Sequence, residues 1–265
     1  MTVSAPQPQT QTTETVLDVR SLTVRYGNVV ALNDVSFSVA RGSVMGLIGP
    51  NGAGKTTLID ALTNYTRPSS GEVEFEGRSS VGERPYRLAR RGLVRTFQSV
   101  ELFDDLTVEE NLAVASQPPS LMGALGSVFT RGGETRTEDV SWALSVTELE
   151  DVADSFPAEL SHGRRKLVGV GRALARRPSL LLLDEPAAGL DTDETLALGS
   201  RLRTLPDHGV TVLLIDHDMG LVLGVCDRVI VLDFGNLIAE GSAAEIRADP
   251  RVVEAYLGST ETSHE

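Results

Sequence analysis

Apolar and polar residues alternate from Val16 to Tyr26, with Val16, Val19, Leu22 and Val24 at the apolar positions, and again from Val30 to Val39. A period of two predicts a pair of adjacent strands, the first closed by Tyr26-Gly27. Val44-Met45-Gly46-Leu47-Ile48 is almost entirely apolar, the pattern of a strand buried on both faces. Gly71 to Gly77 alternates again and predicts a half-exposed strand between two glycines. Between Leu106 and Ser161 the spacing turns helical: Thr107 and Glu110 form a capping box ahead of Asn111-Leu112, and Ser141 to Glu150 continues at helical spacing. Pro118-Pro119, Gly123, Gly126 and Gly132-Gly133 break the stretch between them. Leu180 to Leu183 and Thr211 to Ile215 return to buried strands, each ending in carboxylates, Asp184-Glu185 and Asp216. Ser242 and Glu245 predict a second capping box, and Asp249-Pro250 places proline at the first position of a last helix.

Alternation of buried strands and helices over 265 residues predicts an α/β fold carrying an inserted helical part. The expected organisation is a polar, disordered tail over 1–15 and one domain over 16–265, with 100–170 as its helical subdomain. Met1 to Thr15 has neither a basic start nor an apolar segment, so it does not read as a secretory signal. No apolar run approaches the roughly 20 residues of a membrane helix. The net charge of -13 argues against broad capture of nucleic acid. Two basic clusters interrupt that acidity, Arg84, Arg87, Arg90, Arg91 and Arg95, then Arg164, Arg165, Lys166, Arg172, Arg176 and Arg177; they read as solvated helix faces. The single cysteine, Cys226, excludes an internal disulfide, fits a reducing compartment and reads as a small buried filler.

The chemistry concentrates after the strand Val44 to Ile48, in Gly49-Pro50-Asn51-Gly52-Ala53-Gly54-Lys55-Thr56-Thr57, which opens a helix at Leu58. Strand, glycine loop and helix is the arrangement that wraps backbone N–H groups around phosphate. Gly49, Gly52 and Gly54 let the chain curl, Lys55 brings a cation to the β and γ phosphates, and the Thr56 hydroxyl suits Mg²⁺. The loop therefore predicts binding of a nucleoside triphosphate. At the end of the next carboxylate-bearing strand, Asp184 suits Mg²⁺ through its water shell, and Glu185 is placed to orient or deprotonate an attacking water.

The joint order of Lys55-Thr56, Gln98, Leu160-Ser161-His162-Gly163, Asp184-Glu185 and His217, with Tyr26 ahead of them, resembles the ATP-binding-cassette ATPases from Val16 onward. The resemblance implies a P-loop NTPase core with a mixed sheet, an antiparallel β subdomain and an inserted α-helical subdomain. It implies that Tyr26 stacks on adenine, that Gln98 senses Mg²⁺ and the attacking water beside a transmembrane partner, and that His217 contacts the γ-phosphate. It further implies that Ser161, His162, Gly163 and Arg164 form the signature that meets a nucleotide held by the opposite subunit, with Asp191 in the loop crossing that interface. ATP and Mg²⁺ are the cofactors so implied. A second ATPase subunit, identical or related, and membrane permeases are the partners, with a solute-binding protein engaged indirectly.

Gly92 to Gln98, Leu106 to Leu112, Asp184 to Leu190 and Thr211 to Met219 resemble the importer ATPases for branched-chain amino acids, at the cytoplasmic face of the plasma membrane. Urea and short-chain amide importers, with closely similar ATPases, are the alternative on cargo. A cassette acting on ribosomes or DNA is the alternative on class, against which stand the single set of motifs and the absence of a long heptad stretch. Where most cassettes read Leu-Ser-Gly-Gly-Gln, this chain reads Leu160-Ser161-His162-Gly163-Arg164. A cation in the first turn opposes the helix dipole at a cost of roughly 0.3–1 kcal/mol; a nucleotide across the interface is the anion expected to offset it, the alternative being a guanidinium that points into water and contributes only solubility.

Overall fold

The computed structural model describes residues 14–96, 101–116 and 138–258. Two sheets form the frame. One is antiparallel, in the order β2-β1-β4-β5, with β1 at Thr15–Tyr26, β2 at Val29–Ala40, β4 at Ser70–Phe75 and β5 at Arg78–Ser79. The other is mixed, in the order β10-β9-β3-β8-β7-β6, with β3 at Val44–Ile48, β6 at Leu93–Arg95, β7 at Leu180–Asp184, β8 at Thr211–Ile215, β9 at Arg228–Asp233 and β10 at Asn236–Gly241. The expected fold class stands.

The all-apolar strands have two buried faces because the central sheet has a core on each side. Val44, Leu181, Leu183, Val212, Leu214, Val229 and Val231 face the helices, whereas Met45, Leu180, Leu182, Leu213, Ile215, Ile230 and Leu232 face the antiparallel sheet. Alternation is present in the direction of the side chains and invisible in their polarity. Register then fixes the working edge: β3, β6, β7, β8 and β9 run parallel, Asp184 pairs with Ile215, and Ile215 pairs with Leu47. Everything that follows those strands emerges at one edge, where open α/β sheets bind ligands.

Helix α1, Lys55–Leu62, starts directly from the glycine loop, and α2, Pro85–Arg91, takes proline at its first turn. The Thr107–Glu110 capping box starts α3, Val108–Ser116, with Glu110 N–H donating to Thr107 Oγ1 at 3.2 Å and Thr107 N–H to Glu110 Oε2 at 2.9 Å. Helix α4, Glu138–Thr147, and α5, His162–Leu174, are the further α-helices of the helical part among the described residues, Leu112 of α3 lying against Gly171 of α5. Beyond β7 come α6, Thr192–Thr204, α7, Met219–Val225, and the two last helices, α8 at Ala243–Ala248 behind the Ser242–Glu245 capping box and α9 at Pro250–Gly258.

Three expectations change. Thr15, assigned to the tail, already belongs to β1, and Glu14 ahead of it is tied to Arg41 at 3.1 Å. The apolar run Val229 to Leu232 forms β9 and turns at Phe234-Gly235 into β10, a hairpin the sequence reading passed over. The basic clusters are not simply solvated: Arg91 is tied to Glu83, Arg95 is half-buried between Asp60 and Asp184, Lys166 is buried, Arg172 lies over Phe103, and Arg177 lies 4.0 Å from the Trp142 ring centroid. Cys226 is buried, and desolvation pushes its thiol up to about 12, so it stays protonated and inert as the filler expected.

Candidate active site

Gly49 and Gly54 are required by geometry. A Cβ on Gly49 would lie 2.2 Å from the Leu232 carbonyl oxygen, and Gly54 has a φ of 105°, with Ala31 O 2.8 Å from where its Cβ would be. The loop is thus pressed onto its neighbours on one side, while Asn51, Gly52 and Thr56 stay exposed on the other. Ala53 is buried and accepts the Gly235 N–H at 2.9 Å, which seats the loop on the β9–β10 turn. The Lys55 ammonium is buried and donates to the carbonyls of Gly49 at 2.6 Å and Pro50 at 3.0 Å. Burial holds its pKa below the usual lysine value, opposed by the charges of Glu185 and Asp184. Register brings loop and carboxylates to one edge, since Leu47 of β3 pairs with Ile215 of β8 and Ile215 with Asp184. Thr57, half-buried, lies in the first turn of α1.

Glu185 stands on a strained backbone, with a φ of 48°, and its N–H donates to Ile215 O at 2.7 Å. A positive φ at a non-glycine residue persists where its surroundings over-determine it, and it concentrates at working sites. Asp216 supplies the surroundings: fully buried, it accepts the Ala187 N–H at 3.1 Å and the Asp218 N–H at 3.0 Å, tying the turn after Glu185 to the turn of His217. His217 Nδ1 lies 4.0 Å from Glu185 Oε2 and 3.5 Å from Asp216 Oδ1, with its ring mostly exposed. Sequence reasoning assigned no role to Asp216, although a carboxylate closing an apolar strand was the available signal.

The donors fit Mg²⁺ held together with a nucleotide. Thr56 is exposed at the start of α1 and Asp184 closes β7, whereas no group of three or more metal-ligating side chains occurs among the described residues. Mg²⁺ characteristically takes one or two protein oxygens and completes its shell with phosphate and water. Bound there, Mg²⁺ would be held by Thr56 and Asp184 and would supply charge that neutralises the phosphates, while Lys55 and the loop amides would grip them and Glu185 would orient the water.

The signature forms the start of α5. Ser161 caps it, accepting the Arg164 N–H at 3.3 Å, and the Gly163 N–H donates to Glu194 Oε1 at 2.8 Å. Asp191 caps α6 by accepting the Glu194 N–H at 2.8 Å, so Glu194 links the two helix starts. His162 lies over Gly189, 3.2 Å from where a Cβ would sit. Arg164 pairs with Asp151 at 2.9 Å, an anion on its own chain that sequence reasoning did not find. Tyr26 is exposed at the end of β1, its hydroxyl 3.0 Å from Thr66 Oγ1. Gln98 lies outside the described residues. Two side chains near the site were given no role in it: Lys166, read as part of a solvated face but buried on α5 with Asp216 and Glu185 as neighbouring charges, and Tyr256 on α9, whose phenol is raised in pKa by burial and meets the Gly49 backbone.

The ABC transporter family model matches residues 32–188, and the chain belongs to that family of ATPases. Residues 236–262 match a second model, the branched-chain amino acid ATP-binding cassette transporter family. The high-affinity branched-chain amino acid transport ATP-binding protein BraF of Pseudomonas aeruginosa is 39% identical over 251 residues, 92% of this chain and 98% of that protein. Among solved structures, an ATP-binding cassette of an ABC transporter in its ADP conformation is similar with a TM-score of 0.79 and 33% identity, covering 93% of this chain and 100% of that one. A dimeric post-hydrolysis cassette bound to ADP and Pi is similar with a TM-score of 0.67 and 25% identity over 86% of this chain and 98% of the other.

Proposed function

We propose that this chain binds and hydrolyses Mg·ATP as the peripheral ATPase of an importer for branched-chain amino acids. The observation that carries the reading is the convergence of Lys55, Asp184 and Glu185 at one sheet edge, in a chain whose closing segment matches the branched-chain family. Its activity requires a second cassette, identical or related, because the exposed Ser161 at the start of α5 serves the nucleotide of the opposite subunit. The permeases dock beside Gln98. Support comes from the groove lined by Thr96, Glu101, Phe103, Ala115, Arg172 and Arg176, in which Thr96 and Glu101 flank that segment in sequence and Phe103 is exposed. Among the described residues no helix is long and apolar enough to cross a membrane, which suits a peripheral subunit at the cytoplasmic face.

The ATPase does not touch the solute, so cargo is tested on the assembly. Purified with its permeases and a solute-binding protein, it is expected to hydrolyse ATP faster with leucine, isoleucine or valine and to ignore urea and acetamide. Stimulation by urea or an amide alone would move the chain to the alternative importers.

Arg164 offers a narrower test. Its exposed pair with Asp151 contributes at most about 1 kcal/mol, so the guanidinium is free to exchange that partner for nucleotide phosphates or ribose when two cassettes close. In a Glu185→Gln background, Arg164→Gln is then expected to raise the ATP concentration that half-saturates dimer formation and to flatten its salt dependence. An unchanged midpoint and salt slope would leave Arg164 to Asp151 alone.

A further inference from the structure

We propose that Arg95 is a positioning residue for the metal, a half-buried clamp that sets the separation of the two elements carrying the Mg²⁺ ligands; the inference rests on the Mg·ATP reading above. Arg95 closes β6 with its side chain 9% exposed. Its Nη1 donates to Asp60 Oδ1 at 2.6 Å and its Nη2 to Asp184 Oδ2 at 2.8 Å. Asp60 lies on α1 four residues after Thr56, hence on the same face one turn along. One planar cation therefore joins the helix that begins with Thr56 to the strand that ends with Asp184. Asp184 is itself 13% exposed, so its carboxylate is held in a mostly dry setting where an ion pair is screened little.

The two contacts use separate arms of the guanidinium, and this is why arginine is needed. A lysine would carry the same charge at a single point and could satisfy only one carboxylate fully. With Oδ2 occupied by Arg95, Asp184 turns a defined remaining oxygen to the ion and its water shell. Removing the clamp leaves Asp60 and Asp184 with an uncompensated like charge between them, free to separate or rotate. Outer-shell partners of this kind typically contribute roughly 10–100-fold to metal affinity. Both arms of Arg95 are engaged by carboxylates, so binding of the metal-free nucleotide is expected to proceed without it.

The test uses the full chain and the non-hydrolysable probe adenosine 5′-(β,γ-imido)triphosphate, with binding measured calorimetrically across a free Mg²⁺ titration and again in EDTA. Arg95→Gln is expected to raise the Mg²⁺ concentration at half-maximal enhancement by about tenfold or more, leaving affinity in EDTA unchanged. Arg95→Lys should show the same displacement, and Asp60→Asn, with Arg95 intact, a smaller one in the same direction. If Arg95→Gln fails to fold, Asp60→Asn and Arg95→Lys carry the test. An unchanged or lowered Mg²⁺ midpoint, or affinity lost equally with and without the metal, would overturn the clamp and leave Arg95 a packing residue. An unchanged chain whose binding ignores Mg²⁺ would instead overturn the metal assignment beneath it.

Discussion

Glu185→Gln is expected to bind ATP as the unchanged chain does and to lose turnover by roughly 10²–10⁴-fold, the usual contribution of a positioned acid–base group. The change is nearly isosteric, and the backbone that aims the side chain is held from outside it. The Glu185 N–H is taken by Ile215, and buried Asp216 fixes the following turn through Ala187. Geometry therefore survives while the proton acceptor is lost. Lys55 keeps Asp184 as a neighbouring charge, so the loop's grip changes little. Equilibrium binding and single-turnover phosphate release, measured on the same preparation, separate the two effects. Near-normal turnover would place the base elsewhere, with His217 next to be examined.

Lys55→Ala is expected to weaken ATP binding by roughly 10²-fold or more, since a charge-assisted hydrogen bond contributes about 1.5–3 kcal/mol and this cation serves two phosphates. The same ammonium holds the Gly49 and Pro50 carbonyls, so the variant also loosens the loop that presents the amides. Deleting a buried cation relieves its desolvation, and the fold should tolerate the change; thermal unfolding recorded alongside calorimetry checks this. Unchanged nucleotide affinity would mean that the loop amides alone hold the phosphates.

The parts of this molecule legible in its sequence are those where chemistry and local pattern coincide. The glycine loop, the capping boxes of Thr107 and Ser242, and the buried strands β3, β7 and β8 all announce themselves within a few residues. The hairpin of β9 and β10 carried an equally local signal, an apolar run followed by Phe234-Gly235, and was overlooked. Arg95 shows a different difficulty. Its partners lie 35 residues earlier and 89 residues later, so nothing nearby distinguishes it from Arg90 or Arg84 in the same cluster. Arg164 and Asp151 show the same at shorter range, and Tyr256 meets the Gly49 backbone from the far end of the chain. Charges find their partners through topology, which periodicity does not encode.

The central claim is that the nucleotide on one cassette is hydrolysed only when a second cassette presents Ser161. Ser161→Asp isolates it, because aspartate caps a helix as well as serine does and so preserves the start of α5, while its charge repels a γ-phosphate brought up from the opposite subunit. The decisive measurement is phosphate release by the purified assembly carrying Ser161→Asp in this chain, with ATP affinity determined in parallel. The account predicts ATP binding at the unchanged affinity and turnover lost; turnover equal to that of the unchanged assembly would contradict it.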